Sequence, residues 1–255
     1  MLKVLDVKIF DQNIPSAVNL VFQQIASGQK SNLCISATGA HGIIEAYKNP
    51  SFKNLLNSFY LNLPDGMPTV WVGNLKGFKQ IERCYGPDFF EALLSKSSKM
   101  PIQHFFCGGK EGVAIQLKNS CHINFDNYNI SGTFSPPFRE LSDTEIRTLA
   151  TQMNDAGADI IWVGLSTPKQ EIFAKRLSEV SNAHFIITVG AAFDFFTGNV
   201  KQAPKWVQKS GLEWFFRLLM EPNRLFKRYF EIVPLFLWLH IKEFVDFCII
   251  KMKNK

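Results

Sequence analysis

The sequence predicts an α/β fold: a mostly parallel sheet flanked by helices, with a helical C-terminal appendage. Short runs rich in Ile, Val and Phe are separated by segments of helix length. That pattern marks strands buried on both faces of a parallel sheet. Polar or glycine-rich breaks follow these runs, at TGAHG, CGGKEG, GLSTPKQE and GAAFDFFTG. After about residue 203 the pattern changes, and basic and aromatic residues interleave.

In chain order, Asn32 to Ala37 (NLCISA) is a strand, followed by a helix near His41 to Tyr47. Ile102 to Cys107 (IQHFFC) is a buried strand that runs into Gly108-Gly109-Lys110-Glu111-Gly112 and the helical VAIQLK. CHINF reads as the next strand, with Asp126 just after it. Asp159 to Leu165 (DIIWVGL) is a further strand, broken by STPKQE and followed by the helix IFAKRLSEV. His184 to Gly190 (HFIITVG) is the last strand. These elements give a body over 1–203 and an appendage over 204–255. In the appendage Pro204, Pro222 and Pro234 start or break successive short helices. Ligands of such sheets bind beyond the carboxyl ends of the strands, where the polar breaks fall.

Charge is unevenly placed. The net charge is +6, and residues 201–255 hold 11 basic and 5 acidic side chains, so the whole excess lies there. The same segment carries 11 of the 34 aromatic residues. A partner both anionic and apolar fits this, so a lipid surface is expected rather than nucleic acid. The longest uncharged stretch there, Ile232 to Ile241, has 10 residues, against the roughly 20 a membrane span needs. It is either a packed helical layer or an interfacial contact. Five scattered cysteines without metal-ligand spacing argue against disulfides and structural zinc. They favour a reducing, cytoplasmic setting, as does an N-terminus without a signal-peptide core.

Several segments could carry chemistry. GGKEG after a strand resembles a dinucleotide fingerprint with Cys107 in place of the first glycine, and Asp126 stands where a ribose-binding acid could lie. The alternative is a plain tight turn. In STPKQE, Ser166 or Thr167 can cap a helix with Pro168 at its first position, and Lys169 and Gln170 would project toward a ligand. No DxD motif occurs, so a bound diphosphate would be neutralised by backbone N–H groups and by cations such as Arg83, Arg217, Arg224, Lys227 and Arg228. On a helix, Arg217 and Arg224 would share a face, as would Arg224 and Arg228. His41 is the most site-like histidine. Asp65, in LPDGMPTVW, has the composition of a turn, yet apolar residues flank it on both sides.

Taken together, TGAHG, LPDGMPTVW, ERCYGPD, VGLSTPKQE and the segment from VGAAFDFFTG to NRLFKRY resemble the WecG/TagA/CpsF glycosyltransferases of bacteria, over residues 4 to 235. The resemblance implies a Rossmann-like domain with a membrane-docking appendage. It implies inverting, metal-independent transfer, without a cofactor, from a UDP-sugar to a polyprenyl-diphosphate-linked sugar on the inner face of the plasma membrane. It makes Asp65 the general base and aligns Thr38, Arg83, Gln170 and Asp194 with site residues. Arg217, Arg224 and Lys227 align with basic residues of the appendage. Ala40 stands where many members have asparagine, and His41 is a candidate to fill part of that role. The donated sugar stays open among N-acetylmannosamine, its uronic acid and glucose, as does homo-oligomerisation. Two other readings stand beside this one: a non-catalytic membrane adaptor, and an NAD-dependent oxidoreductase built on GGKEG and Asp126.

Overall fold

The structure is a computed structural model that describes residues 1–253. Residues 254 and 255 of the expected appendage lie outside the described residues. The chain begins with an antiparallel hairpin, β1 (Leu2–Val4) and β2 (Val7–Ile9), then α1 (Ile14–Ala26) and β3 (Leu33–Thr38). Next come α2 (Ala40–Lys48), α3 (Pro50–Asn57), β4 (Leu61–Pro64), α4 (Met67–Leu75) and α5 (Gly86–Ser97). β5 (His104–Gly108), α6 (Val113–Phe125), β6 (Ile130–Phe134), α7 (Asp143–Asp155), β7 (Ile160–Gly164) and α8 (Lys169–Ser178) follow. β8 (Phe185–Thr188), α9 (Ala192–Phe196), α10 (Lys205–Lys209), α11 (Glu213–Met220) and α12 (Pro222–Lys253) complete the described chain.

Six strands form one parallel sheet in the order β4-β3-β8-β7-β5-β6. The fold class is therefore the expected one. β8 returns late in the chain to lie between β3 and β7, so the connections diverge from the middle of the sheet. Such a switch point opens a crevice at the carboxyl edge. Alternation along β7 shows how the sheet is covered. Ile160 and Trp162 face one layer, where Trp162 packs edge-on to Phe90 at 4.7 Å. Ile161 and Val163 face the other, against Leu149, Phe173 and Leu177. A third cluster joins the hairpin to α2 and α12 through Val4, Ile9, Ile43, Ile232 and Phe236.

At the end of β5 the backbone needs a glycine. Gly108 has φ +147°, and a Cβ there would lie 2.5 Å from the Gly164 carbonyl oxygen on β7. Both the backbone conformation and the contact exclude a side chain, and each such strain costs on the order of 1–3 kcal/mol. Gly108→Ala is therefore expected to lower the melting temperature by several degrees, on the scale of about 2–4 °C per kcal/mol for a chain this size. Calorimetry checks it, and an unchanged melting temperature would contradict the tight β5–β7 approach.

Three local expectations are corrected. CHINF is the end of α6, not a strand: Val113, Ala114, Leu117 and Cys121 are buried at helical spacing. α8 begins at Lys169 with Pro168 at the cap position and no side-chain cap; the Thr167 hydroxyl instead donates to Glu171 Oε1 at 2.9 Å. Pro204 and Pro222 do stand at helix starts, but Pro234 lies inside the 32-residue α12 and does not end it. An interior proline costs roughly 3 kcal/mol. Leu225, Ile232, Phe236 and Leu239 are buried on both sides of it along one face, and burying each contributes about 1.5–3 kcal/mol.

α12 is apolar on two opposite sides. At 3.6 residues per turn, Phe226, Phe230 and Trp238 form a stripe turned away from the buried one, and the exposed Leu237 and Ile241 lie beside it at the cavity. Phe230 is 72% exposed and Ile241 64%. The tail thus packs on the body and also presents an apolar face. No helix among the described residues is long and apolar enough to cross a membrane.

Candidate active site

A cavity of about 1600 Å³ opens at the carboxyl edge of the sheet, and the appendage forms its far wall. Asp65 enters it directly from β4. Pro64 pairs with Thr38 on β3, so the next residue emerges at the sheet's edge. The strand LNLP is only 4 residues long, too short to show a period of its own. The Asp65 N–H donates to the Thr38 carbonyl at 3.4 Å. Its Oδ1 accepts from the Gly86 N–H at 2.7 Å. Oδ2 has no protein donor among the described residues, and Gly39, which also lines the cavity, lies beside it. Burial pushes the Asp65 carboxyl above the usual carboxylate range, with Arg83 and the Gly86 N–H opposing the shift.

Arg83 is fully engaged. Its Nε donates to the Asp65 carbonyl at 2.8 Å, and its Nη2 forms an ion pair with Glu213 of α11. Nη1 reaches Gln208 Oε1 at 3.5 Å, and the guanidinium lies 4.0 Å over the Tyr85 ring. The Tyr85 hydroxyl donates to Glu213 Oε1 at 2.5 Å. Less committed cations stand on the far wall. Among the described residues Arg217 Nε is buried without a hydrogen-bond partner, Arg224 pairs with Glu221 at 2.7 Å, and Arg228 makes no ion pair. Arg217 and Arg224 lie on two helices, not on one face of a single helix, because the chain breaks at Glu221 before Pro222. Both still line the cavity. Arg224 and Arg228 do share a face of α12. Lys227, one position earlier and about 100° around the helix, is exposed and does not line it.

The remaining expected site residues divide into those that line the cavity and those that shape it. Asp194 on α9 lines it, its carboxyl raised by burial and opposed by Arg224. His41 and Ala40 line it from the first turn of α2. Burial, then Arg228 and Lys48, lower the His41 imidazole to about 4, so it is neutral at pH 7 despite Glu45 at 3.4 Å. Thr38 is buried; its hydroxyl donates to Ser36 Oγ at 3.0 Å, and it meets the site through its carbonyl. Gln170 has 2% exposure, and its amide is occupied. Nε2 donates to Glu171 at 2.9 Å and Thr167 at 3.2 Å, and Oε1 accepts from the Gly190 N–H at 3.1 Å. It ties the loop after β7 to the loop after β8 and, like Lys169, lines the cavity.

Gly109, Lys110 and Glu111 line the cavity, but the Gly109 N–H donates to the Gly164 carbonyl at 2.9 Å. Asp126 is not near them. It closes the far end of α6, paired with Lys99 at the surface, because CHINF is helix and carries the chain to the opposite edge of the sheet. The ribose-binding arrangement needed for NAD is therefore absent there. Burial pushes the thiol of Cys34 up to about 11 and that of Cys84 up to about 12, so neither is a nucleophile at neutral pH. Among the described residues no group of three or more His, Cys, Asp or Glu side chains could hold a metal ion.

Glu213 and Tyr85 escaped the sequence reading. Their signal was weak: one of only 5 acids in a basic appendage, and a tyrosine beside Arg83. The chain matches, over residues 2–247, the model of a family described as the glycosyl transferase WecG/TagA/CpsF family.

Proposed function

The chain belongs to the WecG/TagA/CpsF family of glycosyltransferases, enzymes of cell-surface polysaccharide synthesis, and from that premise we propose how its cavity works. The reading is an inverting, metal-independent transfer from a UDP-sugar to a polyprenyl-diphosphate-linked sugar at the inner face of the plasma membrane. One observation carries it. Asp65 has one carboxylate oxygen held by the Gly86 N–H and the other facing the cavity, with Arg217, Arg224 and Arg228 lining the same space.

Asp65 Oδ2 takes the proton from the acceptor sugar's hydroxyl as that oxygen attacks the anomeric carbon. The bond from that carbon to the diphosphate breaks, and UDP leaves with the electron pair. Its growing negative charge falls to guanidiniums whose fork matches phosphate oxygens. Arg217 is the first of these, because its buried Nε lacks a partner among the described residues. Arg83, expected to serve the diphosphate, is committed to Glu213 and the Asp65 carbonyl, so in this reading it holds the base. The neutral His41 and Ala40 flank the acceptor side.

The appendage supports a membrane setting. Its exposed apolar stripe is accompanied by Lys227 and Lys242, a combination suited to an anionic lipid surface.

Screening UDP-sugars against a polyprenyl-diphosphate-linked monosaccharide, with UDP release as readout, tests the activity and identifies the donor. No release with any pair would overturn the reading. For the cation, Arg217→Ala is expected to weaken UDP binding about 10- to 100-fold, from the 1.5–3 kcal/mol typical of a charged hydrogen bond. Calorimetry with UDP measures it, and unchanged affinity would remove Arg217 from the diphosphate site.

A further inference from the structure

We propose that Glu213 is a positioning residue for the Asp65 carboxylate, acting through Arg83 and Tyr85, so that the base is set only when α11 is seated. The inference rests on the reading of Asp65 as the base.

Asp65 is held by the Arg83 Nε on its carbonyl and by the Gly86 N–H on its Oδ1. Both come from the segment 83–86, which joins α4 to α5 and forms no element before Gly86. Glu213 clamps that segment from the appendage. One carboxylate oxygen pairs with Arg83, and the other accepts from the Tyr85 hydroxyl. Gln208 adds a second tie, reaching Arg83 while its amide donates to the Ala203 carbonyl at 2.7 Å. Glu213 is only 8% exposed, and a buried carboxylate left without its partners is strongly disfavoured. Seating α11 and ordering the Asp65 loop are therefore one event.

Glu213 also sets the charge balance. Arg83, Cys84 and Tyr85 face Asp65 from the joining segment, Glu213 and Arg217 from α11, and His41 lines the same cavity from α2. Cys84, Tyr85 and His41 are neutral at pH 7, since burial raises the first two and lowers the third. Glu213 thus acts on Asp65 in the direction opposite to the two arginines. Without it their field stabilises the ionised Asp65 and weakens it as a base.

The test compares Glu213→Gln with Glu213→Asp and Tyr85→Phe. Each is measured for kcat, for donor KM, for the pH dependence of kcat and for melting temperature. Glu213→Gln is expected to lower kcat about 10-fold, short of the roughly 100-fold that a 1 Å misplacement brings. Donor KM should change little, and the acid limb of the profile should move to lower pH. Glu213→Asp, which keeps the charge, should leave the limb in place and restore part of kcat. Tyr85→Phe should lower kcat without moving the limb, and it keeps the question answerable if Glu213→Gln does not fold. Wild-type kcat and limb in Glu213→Gln would overturn the inference. So would a lower kcat with an unmoved limb and a lower melting temperature, which marks a fold role alone. If Asp65→Asn turns over normally, the base reading fails; if it is inactive while Glu213→Gln behaves as wild type, only this inference fails.

Discussion

Asp65→Asn is expected to reduce sugar transfer by about 100- to 10,000-fold, the usual loss when a general base is removed, while UDP-sugar binding stays nearly intact. Asparagine has the same shape, and its Oδ1 can still accept the Gly86 N–H that now reaches Asp65 at 2.7 Å. The loop stays in place; what is lost is the oxygen that receives the proton. UDP release with a lipid-linked acceptor reads the first effect, and calorimetry with the donor reads the second. Near wild-type turnover would show that Asp65 is not the base. Stability should move the opposite way. Burial raises the Asp65 carboxyl above its usual range, so the folded state binds its proton more tightly than the unfolded chain does. The charged group therefore costs stability, and more so as pH rises above the ordinary carboxylate value toward the folded one. Asp65→Asn should melt at the same temperature as wild type or higher at pH 7, a trade of stability for activity common at active sites. A large loss of melting temperature would instead mark Asp65 as a structural turn residue.

The sheet was legible because its central strands announce themselves. DIIWVGL, HFIITVG and IQHFFC are apolar on both faces, rich in β-branched and aromatic residues, and bounded by turn residues, as a doubly covered strand requires. β4 and β6 were not. LNLP is too short, and ISGTF mixes glycine with hydroxyl residues. CHINF misled for the converse reason, since a short apolar run carries no period, and only its spacing from Val113 and Leu117 shows a helix. In the site, motif residues landed at the carboxyl edge because strand ends place them there. Their chemistry was less readable. The sequence shows that Gln170 follows Lys169 but not that both ends of its amide are taken by the protein. Nor can it show Arg83 meeting Glu213, 130 residues away. Seven-residue spacing placed Arg217 and Arg224 on one helix face; they converge instead because the break at Glu221 turns α12 back over the cavity.

The triple substitution Phe226→Glu, Phe230→Glu and Trp238→Glu is expected to release the protein from anionic vesicles by about 1000-fold in affinity, taking about tenfold per residue from the 1.5–3 kcal/mol of a buried apolar side chain. These side chains are 60%, 72% and 56% exposed, so the fold should lose little, and none of them lines the cavity. Deleting the tail from residue 204 is a poorer test. It would also strip Ile232, Phe236 and Leu239 from the cluster shared with the N-terminal hairpin and remove Glu213 from Arg83. Sedimentation with vesicles measures the binding. Transfer to a full-length lipid-linked acceptor in those vesicles should fall in parallel, while transfer to a short-chain acceptor in solution should not. Raising salt should weaken wild-type binding only in part, because ions screen the lysines and arginines but not the aromatic contact. If the triple variant sediments like wild type, the stripe covers something other than a membrane. If it is released but still works at full rate in vesicles, docking is not what brings the acceptor to Asp65. The two outcomes separate a surface that merely holds the enzyme at the bilayer from one that orients the mouth of the cavity toward it.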